Sequence, residues 1–187
     1  MTYIKPANAD SIPLAMHINI EPAAPADIPR IRELMELSME CIQDPDWFVD
    51  DDVECIERHI CQPRYGYILK YLLEGRFVGY LMVHKPGSDK DNLAAHLNLP
   101  KEEYSSVVHI ESVCVDPSCR GMGIFRSLMH AAVEKERMDP STRYLMGTVH
   151  PENSFSKNVF LVENFQVLET TFKYGGKLRD ILYLRLR

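Results

Sequence analysis

The sequence predicts an α/β (α+β) fold in which one mixed sheet carries helices on its faces. Three observations predict it. Apolar residues recur every third or fourth position in two stretches between Ile28 and Ile60; a strand pair runs from Tyr67 to Val83; and a strand–turn–helix passage begins at Val107, with a hairpin closing the chain. With 187 residues, 45% of them hydrophobic, the chain can bury one sizeable core without disulfide or metal support. Residues 1–16 carry two prolines and no clean period, so they are expected to form an N-terminal arm, leaving 17–187 as a single domain.

The elements follow in order. His17-Ile18-Asn19-Ile20 alternates as a short half-buried strand, which Glu21 to Pro25 breaks with two prolines. Asp27 can cap a helix whose first turn tolerates Pro29, and Ile28, Ile31, Leu34, Met35, Ser38 and Ile42 mark its apolar face. Asp44-Pro45-Asp46 ends it. Asp50, Asp51 and Asp52 then load the start of a second helix, striped by Val53, Ile56 and Ile60 and stopped by Pro63. Tyr67 to Leu73 and Phe77 to Val83 make a hairpin across Glu74-Gly75-Arg76. Lys85 to Ser106 reads as a polar surface excursion with a short helix near Leu93 to Leu97. A strand from Val107 to Val115 precedes a helix opened by Gly121 and Gly123, with Ile124, Leu128, Ala131 and Ala132 on its apolar face. Tyr144 to Val149 is a buried strand, Asn153 caps a helix to about Glu163, and strands Val167 to Tyr174 and Ile181 to Leu186 turn at Gly175-Gly176.

Acidic residues outnumber basic ones 27 to 21, a net charge of −6. Such a field suits a cationic partner and argues against a nucleic-acid binder with a broad basic surface. No apolar run reaches the roughly 18 residues of a membrane span, and no basic segment precedes an apolar stretch at the N-terminus, so neither a membrane partner nor a signal peptide is expected. The five cysteines form no CxxC pair, which fits a reducing cytoplasm and opposes a disulfide scaffold or zinc ribbon.

The segment Ser112 to Arg126 is the most informative. A strand runs out at Val115, the chain turns at Pro117, and Gly121 and Gly123 stand where a helix begins. Small residues let backbone N–H groups approach an anion at a helix N-terminus, and Arg120 and Arg126 can pair with phosphate. The same glycines also suit a tight connection that only needs positive φ. The spacing is neither that of a P-loop nor that of a dinucleotide fingerprint.

Val115-Asp116-Pro117 followed by Arg120-Gly121-Met122-Gly123-Ile124-Phe125 resembles the GNAT superfamily of N-acetyltransferases, whose hallmark is Arg/Gln-x-x-Gly-x-Gly/Ala after a strand ending Val-x-Pro. His150-Pro151-Glu152-Asn153, Asn164-Phe165, Lys173-Tyr174-Gly175-Gly176 and Arg179-Asp180-Ile181-Leu182 extend the likeness, which follows element order from Ile18 to the C-terminus. The resemblance implies a mostly antiparallel central sheet flanked by about four helices. It further implies acetyl-CoA as co-substrate with no metal, and direct transfer to a primary amine in a ternary complex. The backbone of Val113, Cys114 and Val115 would pair with the pantetheine arm. Arg120, Gly121, Met122, Gly123, Ile124, Phe125 and Arg126 would hold the pyrophosphate, and Asn153 would touch the cofactor while also capping its helix. Two positions depart from the family: Phe125 takes the final Gly/Ala place, and Asn164 stands for Gly before Phe165. Asn tolerates the left-handed conformation a helix end needs.

Amine acetylation needs a free lone pair and a proton for the leaving thiolate. Glu111, on the strand expected to carry the thioester, can act as base if partly desolvated; otherwise it is a solvated edge carboxylate. His150 and His109 are further candidates. The family's usual acid is a tyrosine seven residues after the capping asparagine, a place held here by Phe160, which has no proton to give. Tyr174 and Tyr144 are substitutes, or the thiolate leaves unassisted. Cys114 and Cys119 have no base placed by any motif and read as ordinary cysteines. The loop Asp44 to Asp52 sets acids beside Trp47 and Phe48, which suits a cationic amine or simply supplies helix-start charge. The expected protein is a cytoplasmic acetyl-CoA-dependent N-acetyltransferase acting on a small-molecule or peptide amine. The alternative is a non-catalytic acyl-CoA-binding domain that kept the loop and lost its acid; a homodimer is compatible with either.

Overall fold

Strand pairing organises the chain in a computed structural model that describes residues 17–187; the expected arm of residues 1–16 lies outside them. β1 (Ile18–Pro22), β2 (Gly66–Leu73), β3 (Arg76–His84) and β4 (Val107–Val115) form an antiparallel meander. β5 (Tyr144–Val149) joins β4 in parallel, and β6 (Gln166–Lys173) and β7 (Lys177–Arg185) complete a seven-stranded sheet in the order β1-β2-β3-β4-β5-β7-β6. All pairings except β4 with β5 are antiparallel, as expected.

Alternation along the strands sorts the core into two faces. On β3, Tyr80 and Met82 meet α1 (Ile28–Glu40) and α2 (Val53–Cys61) through Ile31, Leu34, Met35 and Ile56. Leu81 and Val83 point the other way, to α3 (Ile124–Met138) and α4 (Ser154–Val162), against Leu128, Met129, Ala132 and Phe160. Burying a side chain such as Leu128 or Met129 contributes about 1.5–3 kcal/mol, so the apolar stripe of α3 alone explains why it docks.

Three sequence expectations change. β1 continues to Pro22, which is tolerable because β1 is an edge strand paired only with β2. β7 starts at Lys177 rather than Ile181, because Arg179 and Asp180 are buried mid-strand and hide its apolar alternation. Lys85 to Ser106 is not a mere surface excursion. Its two 3₁₀ turns, Leu93–Leu97 and Lys101–Ser106, cover the sheet where α1 and α2 do not reach, with Leu93 and Ala94 packed on Val107, Met146 and Ile181. Asn92 pins this cover: its Nδ2 donates to the carbonyls of Gly87 (2.7 Å) and Tyr104 (3.0 Å), and its Oδ1 accepts from the Ala94 N–H (2.8 Å).

Phe160 packs edge-on against Phe165 (4.9 Å between centroids) and lies directly over Gly147, where an added Cβ would stand 2.7 Å from its ring. Gly147→Ala must displace that ring from a close-packed core, and the expected cost is about 1–3 kcal/mol, read as a lowered urea midpoint with unchanged slope.

Candidate active site

The site begins with a defect in the sheet. On β4, Ile110 pairs with Val83 and Ser112 with Met82, so Glu111 has no partner on β3 and forms a bulge. A bulge bends its strand and re-aims the side chain. Pairing of β4 with β5 stops at Ile110 and Gly147, whereas β5 stays paired with β7 as far as Val149. From Glu111 to Val115 the β5-facing edge of β4 is therefore open. The two strands diverge into a wedge whose free backbone groups can take an extended chain as an added strand. Val113, Cys114 and Val115 all line the resulting cavity of about 700 Å³.

The loop from Asp116 to Gly123 closes the end of the cavity beyond Val115. Asp116 accepts from the Ser118 N–H (3.0 Å) and hydroxyl (2.6 Å) and pairs with Arg30 (2.7 Å), which tethers the loop to α1; these bonds, Ser118 first, hold its carboxyl below the usual range. Gly121 (φ +79°) and Gly123 (φ +76°) are left-handed, with no heavy atom within 4 Å of where a Cβ would stand. The space before α3 is thus open to a ligand. The Ser127 N–H donates to the Gly123 carbonyl (3.0 Å) as the first turn of the helix forms, so the preceding amides are free to face an anion. Arg120, Gly121, Gly123, Ile124, Phe125 and Arg126 line the cavity, while Met122 projects outward with 45% exposure. The Phe125 ring turns into the core, edge-on to Phe160 (6.5 Å, 87°). Only its backbone remains at the loop, so the departure at this position does not obstruct it. Asn153 caps α4 by accepting the Ser156 N–H (3.1 Å) and also lines the cavity.

A second cleft, about 780 Å³, opens between the segment after β3 and the β6–β7 turn, with His84, Asp89 and Asp91 in its wall. Glu111 and Tyr174 line both clefts, so the two meet at this pair. The Glu111 side chain keeps 32% of its exposure, but enclosure by the walls, and next the charge of Asp51, push its pKa up to about 7. Asp51 rises to about 6, chiefly by desolvation, against stabilising bonds from the Cys55 thiol and the Ser112 hydroxyl. The three aspartates read from sequence as one block of helix-start charge have separate roles. Asp50 pairs with Arg32 (2.7 Å), Asp52 caps α2 at the Cys55 N–H (2.7 Å), and Asp51 turns into the cavity beside Glu111.

The other candidates sort by their bonds. His109 is buried, accepts the Leu93 N–H at Nε2 (3.1 Å) and is driven down to about 3 by burial, so it positions the cover and cannot serve as base. His150 accepts the Glu152 N–H at Nδ1 (3.3 Å) and stacks on Trp47 (6.0 Å) beside the cavity. Tyr174 Oη stands 3.2 Å from Thr148 Oγ1, and burial, with Glu111 next, raises its pKa, so it keeps its proton. Tyr144 lies at the other end of β5 among Leu93 and Met146. The Cys114 thiol is buried against the Tyr80 hydroxyl (3.3 Å) and pushed up to about 11 by burial, so only its backbone serves the wedge. Arg179, which the sequence presents only within the Arg179-Asp180-Ile181-Leu182 motif, also lines the cavity; two charged residues inside an apolar strand run are the signal that marks it. Among the described residues no group of three or more His, Cys, Asp or Glu side chains can hold a metal ion, and no helix is long and apolar enough to cross a membrane.

Residues 31–161 match the Acetyltransferase (GNAT) family, and the chain belongs to that family. No curated protein sequence matches it. Solved structures share its fold at low identity. The Arabidopsis thaliana NAA60 structure, in complex with acetyl-CoA, superposes with a TM-score of 0.69 at 14% identity over 89% of this chain and 98% of that one. An N-acetyltransferase from Staphylococcus aureus Mu50 gives 0.68 at 18% identity, covering 91% and 99% respectively. An acetyltransferase of the GNAT family from Streptococcus pneumoniae gives 0.65 at 13% identity, covering 90% and 99%.

If Asp51 raises Glu111 by charge, removing that charge must lower it. Carboxyl carbon NMR should place the Glu111 midpoint near 7, and Asp51→Asn should move it toward the ordinary glutamate value of about 4.3. An unchanged midpoint in that variant would show that desolvation alone is responsible.

Proposed function

We propose that the protein transfers the acetyl group of acetyl-CoA directly to a primary amine, of a small molecule or a peptide, within a ternary complex. The observation that carries this reading is the open β4 edge from Glu111 to Val115, set between an anion-accepting loop and a carboxylate of near-neutral pKa. The backbone of Val113, Cys114 and Val115 fits the amides of a pantetheine arm. The amides from Gly121 to Arg126, with the Arg120 and Arg126 side chains, fit a pyrophosphate, and Asn153 adds a polar wall. The left-handed glycines with empty space over them support that fit, since a side chain there would fill the approach. When bound, acetyl-CoA supplies a thioester whose carbonyl carbon bonds to the amine nitrogen as the C–S bond breaks.

Glu111 then has a defined task. An acceptor enters as an ammonium and must shed one proton before attack and a second afterwards; one ends on the sulfur and one in solvent. A carboxylate titrating near 7 takes such a proton at working pH and passes it on, which an ordinary glutamate does poorly. Tyr174, which holds its proton and lies where the two clefts meet, is the donor at hand in place of Phe160. His150 is the remaining proton-handling side chain beside the cavity, with Nδ1 occupied by Glu152.

Thiol release from acetyl-CoA over a panel of amines tests the reading; saturable acetyl-CoA binding with no turnover on any amine would identify a binding domain instead. Because the base must be ionised, the rate should rise with pH through about 7. Glu111→Gln should remove that limb and lower turnover by about 10²-fold, with the affinity for acetyl-CoA retained. Gly123→Val should weaken acetyl-CoA at least about tenfold by calorimetry, some 1.4 kcal/mol, by placing a side chain in the anion's approach.

A further inference from the structure

Arg179 is 2% exposed, yet no carboxylate lies within ion-pair distance of it among the described residues. Its Nη1 donates to the Leu178 carbonyl (2.8 Å) and its Nη2 to the Asp46 carbonyl (2.6 Å), both neutral acceptors, and the guanidinium lies 5.7 Å from the centre of the Tyr174 ring. The nearby acids are committed elsewhere. Asp180 binds Lys157 (2.6 Å) and the Thr170 hydroxyl (2.6 Å), and the Asp46 carboxylate faces Lys177 (3.5 Å). A guanidinium stays charged in a protein, and arginine is almost never fully buried unless it is paired. Here desolvation is the largest influence on its pKa and pulls it down, as expected for a charge whose counter-ion is missing.

A second donor beside it has no acceptor at all. Trp47 Nε1 is buried and has no hydrogen-bond partner. Trp47 follows Asp46, whose carbonyl holds Arg179, so the two donors are joined through one peptide unit, and both residues line the cavity that holds Glu111 and Asp51. One wall of the site is thus short of negative charge while another carries two carboxylates.

Resting on the amine-acetylation reading, we infer that Arg179 and Trp47 receive a carboxylate of the acceptor, so that the acceptor is an amino acid or a similar aminocarboxylate. The ammonium end faces Glu111 and Asp51, and the carboxylate end accepts from the guanidinium and the indole N–H. The anion-accepting loop has its own arginines and a helix N-terminus, so Arg179 is not needed for a pyrophosphate. An acceptor that is the N-terminus of a longer chain would bring a peptide carbonyl to this position and leave the charge unpaired.

Trp47 is the sole tryptophan of the chain, so its fluorescence reports on the site without any turnover. The probes are the twenty N-acetyl amino acids and their amides, titrated into the full-length protein saturated with coenzyme A, alongside acetyl transfer to the corresponding free amino acids and amino-acid amides. We expect at least one N-acetyl amino acid to shift Trp47 emission saturably while its amide does not. We expect the matching amino acid to exceed its amide by at least about 30-fold in kcat/KM. Arg179→Gln should reduce that preference to within about threefold and abolish the emission shift. Because that variant also loses the Asp46 contact, Trp47→Phe serves as the milder second test. It should raise KM severalfold more for the amino acid than for its amide. Amides or peptide N-termini acetylated as well as free amino acids, with no emission shift from any acid, would overturn the inference and leave amine acetylation standing. A saturable shift from an acid, with no amine acetylated, would keep the carboxylate site but overturn amine acetylation and with it the acceptor assignment.

Discussion

One irregularity in the sheet, the bulge at Glu111, is the constraint on which the rest of the structure depends. A regular β4 would continue its parallel pairing with β5 past Ile110 and seal the sheet. With one extra residue the strand bends, the two strands diverge, and a row of backbone donors and acceptors that would otherwise be satisfied within the sheet is left at the wall of a cavity. The same residue that opens the wedge carries the carboxylate that we propose as the base. The packing around it serves this opening: Phe160, over Gly147, and Phe125 fill the core beneath, so that the cavity is floored by apolar side chains while its edge stays polar.

Electrostatics then divide the cavity. Towards α3, left-handed glycines and two arginines favour negative charge. At the junction of the two clefts, enclosure pushes Glu111 up to about 7, with the charge of nearby Asp51 adding to it, and Asp51 is itself raised to about 6, chiefly by desolvation. Beyond them, Arg179 has only neutral carbonyl acceptors and Trp47 Nε1 has none. A buried donor left without an acceptor is costly to a fold, and Trp47 Nε1 is such a donor in the wall of this cavity, beside a guanidinium that has no carboxylate within ion-pair distance among the described residues. Asp180, by contrast, is buried with a cation, Lys157 at 2.6 Å.

Much of the fold was legible in the residues because local rules agree with the tertiary outcome. The stripes of α1 and α3, the Glu74-Gly75 turn and the period-two run at the C-terminus each point to the element that forms. Misreadings arose where polar residues are buried. The cover formed by Lys85 to Ser106 looked like surface because its apolar content is sparse, and only Asn92 bonding and the exposed half of the sheet beneath make it core. β7 looked shorter than it is because Arg179 and Asp180 interrupt its pattern.

The sequence by itself determined the sheet-and-helix order, the glycine turn before α3 and its membership of an acetyltransferase family, since these rest on local spacing of glycines, prolines and apolar residues. It also singled out Glu111 as a candidate without deciding its state. Tertiary structure decided what depends on distance between remote segments: the bulge register that opens β4, the choice of Asp51 over its two neighbours, the burial of His109 against the Leu93 N–H, and the isolation of Arg179 from every carboxylate among the described residues. A pKa or an unpaired charge is a property of an environment assembled from several strands and loops, and no local pattern in the chain encodes it.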